Sequence, residues 1–162
     1  MFYKLKVAGI ERDLPLCPIN DELYIAAFVL FGDIELTEKC AAALYERAPE
    51  HDVMITAESK GIPLICEMCR MSGRNRYVLA RKSVKLYMRN VVSCETKSIT
   101  TGQVQTLYID GDDAEYMKGK RVLIAGAQYL PLAVIPAIPC RSHSVNDILR
   151  RQVKCFRTYC LA

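Results

Sequence analysis

Residues 3–10 alternate between polar and apolar, which predicts a strand, and Pro15 and Pro18 punctuate the next stretch. Residues 23–31 form an almost unbroken apolar run closed by Gly32-Asp33; periodicity fits a buried strand or a short helix equally well. Thr37 is a candidate N-cap for a helix over 38–46, where Ala41, Ala42, Leu44 and Tyr45 supply helix formers and core contacts. Val53–Ala57 reads as a buried strand. Residues 62–70 read as the helix after it, with Pro63 in the first turn, where a missing N–H costs nothing. The polar Glu58-Ser59-Lys60-Gly61 is then a tight strand-to-helix loop. Residues 77–80 predict a further strand ending at Arg81-Lys82, residues 83–103 a polar, mobile excursion, and residues 104–109 the strand to which it returns. Asp110, Asp112 and Asp113 precede a short helix over 114–117. They read as capping and turn residues rather than a metal cluster, and Val122-Leu123-Ile124 is another strand.

Strands alternating with helices predict an α/β fold, a Rossmann-like, mostly parallel sheet flanked by helices. In such a sheet ligands bind at the carboxyl ends of the strands, which draws attention to the loop after Ala57. The 162 residues, 51% hydrophobic and 25% charged, suit one ordered domain and exclude disorder and fibrous repeats. The net charge of +4 belongs to the tail alone: residues 1–140 carry 17 Lys and Arg against 17 Asp and Glu, so the excess lies in Arg141, Arg150, Arg151, Lys154 and Arg157 against Asp147. Only Phe156 and Tyr159 could stack bases beside those cations, so no nucleic-acid partner is expected. The eight cysteines do not make a disulfide scaffold in a chain this long that opens without an apolar export segment, and a cytoplasmic location is expected. Cys66 and Cys69 stand at i and i+3 and read as one buried helix face. A zinc site would need further ligands from Cys155, Cys160, His51 or His143.

These landmarks, in this order from about Val7 to Ile124, resemble the type I phosphoribosyltransferases of the purine type, similar to adenine phosphoribosyltransferase. The residues that carry the resemblance are the strand with Glu58-Ser59-Lys60-Gly61, the Arg81-Lys82 after the next strand, the long polar loop and Lys118-Gly119-Lys120-Arg121-Val122-Leu123-Ile124. The resemblance implies transfer of ribose 5-phosphate from phosphoribosyl pyrophosphate to a purine base, with release of pyrophosphate and with substrate-bound magnesium. It implies that Ala57, Glu58, Ser59, Lys60 and Gly61 bind the pyrophosphate, through amides at a helix N-terminus and the charge of Lys60. Arg81, Lys82 and Lys85 would add cations where charge develops. Residues 83–103 would close as a lid, with Glu95, its one carboxylate, as a catalytic proton donor or a structural group. The bland alternatives are that Glu58 caps the helix, Lys60 is merely solvated, and Arg81 and Lys82 are an exposed strand end. Phe28 and Phe31 would line a base pocket or pack in the core. The resemblance also implies pairing of two copies as a homodimer. It divides the chain into a hood-like segment over 1–34, a core over 35–124 and an atypical tail over 125–162.

The family's strand corresponding to Val122-Leu123-Ile124 runs into two acids and a Thr-Gly-Gly-type phosphate loop. This chain instead reads Ala125-Gly126-Ala127-Gln128-Tyr129-Leu130-Pro131-Leu132, and no residue from Val122 to Cys140 is charged. Three prolines and Gly126 interrupt that stretch, so it predicts no membrane helix. The C-terminal part is therefore expected to be incomplete or aberrant, leaving a sheet edge bare, with a helix over 145–153 its one candidate element. A segment read in a shifted frame is the corresponding expectation: codons for Gln128 to Pro131, read two bases later, can spell Ile-Ser-Thr.

Overall fold

The computed structural model describes residues 1–18, 23–97, 104–126 and 138–139. The segment 125–162, the 145–153 helix and the cysteines beyond Cys94 fall largely or wholly outside them. The expected alternation over 3–10 is two strands rather than one: β1 (Phe2–Val7) and β2 (Ile10–Pro18) pair antiparallel, with Val7 opposite Ile10. Ala8 (φ 49°) and Gly9 (φ 80°) make the turn between them, and two positive φ angles are what a two-residue hairpin of matching twist requires. The 23–31 run is neither a buried strand nor a short helix. It holds a three-residue strand, β3 (Tyr24–Ala26), on the free edge of β2, and then irregular chain in which Leu30 is buried. Leu23, Tyr24, Ile25, Val29 and Phe31 stay exposed, so apolar character alone did not mark core.

The central sheet has the order β5-β4-β8-β9, built from β4 (Val53–Ala57), β5 (Val78–Ala80), β8 (Arg121–Ile124) and β9 (Ile138–Pro139). β4 pairs parallel with both β5 and β8, and β9 is antiparallel to β8. The expected mostly parallel α/β sheet is thus present. The edge of β8 is not bare, because Ile138 pairs with Val122 and Pro139 with Arg121; a two-residue strand is too short to announce itself in a pattern. Alternate side chains of β4 and β8 enter two separate cores. Val53, Ile55, Val122 and Ile124 face one, with Met54 and Leu123 in the other, as expected of parallel strands buried on both faces.

Helices α1 (Ile34–Tyr45) and α2 (Ile62–Met71) cover the second face through Leu36, Cys40, Ala41, Leu44, Leu64, Ile65 and Met68. The N-cap of α1 is Asp33, not Thr37: Asp33 Oδ1 accepts from the Leu36 amide at 3.0 Å, so the helix starts a turn earlier. Thr37 lies inside that first turn, its hydroxyl donating to the Asp33 and Leu30 carbonyls. Arg12 of β2 forks onto the same Asp33 carboxylate at 2.7 and 3.1 Å and reaches Glu35 at 2.7 Å, tying the N-terminal sheet to the start of α1. On α2 the two cysteines separate: Cys69 is buried and Cys66 exposed, because an i, i+3 pair is offset by a sixth of a turn around the helix.

The first face is covered by α3 (Gly111–Met117) and by a two-stranded ribbon, β6 (Val92–Lys97) with β7 (Val104–Ile109). Part of the expected excursion is therefore ordered strand. Cys94, Leu107 and Ile109 enter the core from this ribbon; β7 has the bounds its pattern predicts, while for β6 long-range pairing supplied the order that a weak local period could not. Asp110 caps α3, as its position predicts: Oδ1 accepts from the Asp112 amide at 3.0 Å, while Oδ2 takes the Arg89 amide at 2.9 Å. That second bond holds the 83–91 segment down on the helix start.

Candidate functional site

The site grows from the carboxyl end of β4. The Glu58 amide still belongs to the sheet, donating to the Ala80 carbonyl at 2.9 Å. Beyond it the Glu58–Ser59 peptide is cis, and the chain turns into α2, whose N-cap is Gly61 with no side-chain cap bond. Among the described residues, the amides of Ser59, Lys60 and Gly61 find no acceptor. Three consecutive N–H groups at the start of a ten-residue helix therefore combine open donors with the positive end of its dipole. Lys60 is exposed and makes no ion pair among the described residues, so its charge is free beside them.

Gly61 is required there by close approach. A Cβ on it would lie 2.1 Å from Thr56 Oγ1, 3.3 Å from Thr56 Cβ and 3.6 Å from the Ala125 carbonyl. The loop thus lies directly on Thr56, which is fully buried and whose hydroxyl has no partner among the described residues. Thr56 is a site residue the sequence reading missed. Its one signal is a hydroxyl at an otherwise apolar strand position, two residues before the loop.

Glu58 does not cap α2. Its carboxylate crosses to the neighbouring strand end, where Oε2 accepts from the Lys82 amide at 3.0 Å and Oε1 faces Arg81 Nη2 at 3.4 Å. Arg81 is itself fixed by its backbone, which exchanges two 2.8 Å hydrogen bonds with Tyr108 of β7. So the structure brings together Ala57, Glu58, Ser59, Lys60, Gly61, Arg81 and Lys82. Lys85 lies on the following segment, its ammonium donating to Ser83 Oγ at 2.7 Å. Glu95 stands exposed on β6 opposite Thr106, and no bond among the described residues joins it to the loop. Phe28 packs partly buried against the α1–α2 core, while Phe31 is half exposed.

No protein-family profile matches the chain, and no curated protein is similar to it in sequence. Among solved structures it is similar to adenine phosphoribosyltransferase from Thermoanaerobacter pseudethanolicus, with a TM-score of 0.52 and 20% identity. The match covers 68% of this chain and 64% of that one, so the chain spans less than two thirds of that enzyme's length. Among the described residues, no helix is long and apolar enough to cross a membrane. The backbone likeness agrees with the parallel sheet and its two flanking layers: this chain has a phosphoribosyltransferase-like fold.

Proposed function

We propose that this protein is a purine-type phosphoribosyltransferase-like protein that holds the pyrophosphate group of phosphoribosyl pyrophosphate on residues 57–61, with impaired transfer to the base. The observation that carries this reading is the run of amides at Ser59, Lys60 and Gly61 that have no acceptor among the described residues, beside a lysine with no ion pair there and at a helix start. A departing pyrophosphate carries several negative charges, and fixed donors in that position stabilise charge as it develops. Arg81 and Lys82 stand across the strand end as further cations. In this reading magnesium enters on the pyrophosphate oxygens, as part of the substrate. Impairment follows from the sequence, where the stretch from Val122 to Cys140 offers no charged group to grip ribose hydroxyls. A reacting group held at one end only loses orientation. That same stretch favours a second reading, a module that binds pyrophosphate or a nucleotide without chemistry.

Titration calorimetry with magnesium pyrophosphate tests the cradle. Binding that falls on Lys60→Ala supports it, and no binding by the wild-type chain sinks it. Incubation with phosphoribosyl pyrophosphate, magnesium and adenine, guanine or xanthine tests the impairment: little nucleotide is expected, and vigorous turnover overturns that part.

A further inference from the structure

Resting on the pyrophosphate reading, we infer that Glu58 is a positioning residue, whose carboxylate locks the loop after β4 to Arg81 and Lys82 after β5. A carboxylate within an anion-binding loop repels the ligand unless it serves another end, and here its donors identify that end. The amide of Glu58 holds Ala80 at 2.9 Å, its Oε2 takes the Lys82 amide at 3.0 Å, and its Oε1 meets Arg81 Nη2 at 3.4 Å. Three contacts in succession run from one residue of β4's end along three residues of β5's end. Arg81 is anchored from its other side by Tyr108, so the cations cannot follow the loop if it shifts, nor the loop the cations. Without Glu58, nothing else among the described residues joins the loop's side chains to that strand end. The residue thus fixes the spacing between the open amides and the cationic edge, and preorganised spacing determines whether both engage one ligand.

Two pairs of proteins separate reach from charge. Wild type and Glu58→Asp carry the same charge, but the shorter acid falls one methylene short of the Lys82 amide. Glu58→Gln and Glu58→Ala are both neutral, and only glutamine keeps an acceptor within reach. In calorimetry with magnesium pyrophosphate, the wild type is expected to bind about fivefold more tightly than Glu58→Asp, and Glu58→Gln about fivefold more tightly than Glu58→Ala. Hydrogen exchange at the Lys82 amide should be faster in Asp and Ala than in wild type and Gln, at unchanged Tm. Equal affinities within both pairs overturn the inference, as does unchanged Lys82 exchange in all four proteins. If Glu58→Ala does not fold, the wild-type and Asp pair decides. Absence of pyrophosphate binding by the wild type defeats the underlying reading instead, and the two failures are thereby distinct.

Discussion

Replacing Gly61 by alanine isolates the contact on which the loop's shape depends. Gly61 has φ −78° and ψ −12°, ordinary right-handed helical values, so alanine meets no backbone penalty there. Conformational entropy alone makes Gly→Ala stabilising by about 0.4–1 kcal/mol at such a position. Against this stands the added Cβ at 2.1 Å from Thr56 Oγ1. Thr56 is β-branched and fully buried in β4, so its hydroxyl cannot swing aside as a flexible surface group would. Overpacking of that kind costs about 1–3 kcal/mol, so the net effect is a loss of about 1–2 kcal/mol. For a chain of this size that lowers Tm by roughly 2–4 °C per kcal/mol. Thermal denaturation followed by circular dichroism reads it, with the partner changed in a double-mutant cycle. Thr56→Ala removes the obstructing hydroxyl and should rescue about 1 kcal/mol or more of the Gly61→Ala loss, whereas Thr56→Val keeps the bulk and should not. A Gly61→Ala protein as stable as wild type, or a loss indifferent to residue 56, would refute the placement of the loop against Thr56.

Two further outcomes bear on the frame around the site. Asp33→Ala removes the α1 cap on the Leu36 amide and should cost about 1 kcal/mol in a denaturant titration, with Asp33→Asn recovering part of the loss by capping without the Arg12 ion pair. Asp52 is hydrogen-bonded through its side chain by the Arg121 guanidinium and backbone amide, which hold its carboxyl well below the usual range. A depressed carboxylate stabilises the fold above its unfolded pKa and ceases to do so as pH falls through its folded value. Tm of the wild type should therefore decline as the pH drops below the ordinary carboxylate range, and Asp52→Asn should start lower at neutral pH and decline less steeply.

Arg81 illustrates how far the sequence reached and where it stopped. A strand, a polar tight loop, a proline-started helix and a second strand ending in two cations are local patterns, and the structure has each within a residue or two. What those residues touch is a matter of non-local geometry. The Glu58 contact spans 24 positions and the Arg81–Tyr108 pairing 27, and a chain read in windows of one helix or strand carries no trace of either. Strand β7 was legible over 104–109, but β6 was not, for the same reason, since its order comes from its partner strand and the core beneath. The α1 cap shows a nearer limit: Asp33 and Thr37 are both good caps four residues apart, and the choice fell to Arg12, fixed on β2, which binds Asp33 and not Thr37.

By itself, then, the order of residues determined a layered α/β chain and the loop at which to look, because hydrophobic period, proline placement and turn chemistry act over a few residues. Tertiary structure alone decided that three amides are left open among the described residues, that Thr56 lies beneath Gly61, and that Glu58 binds Arg81 and Lys82 instead of capping α2. Donors and acceptors are paired by distance in space. Parallel strands bring together residues that lie far apart along the chain.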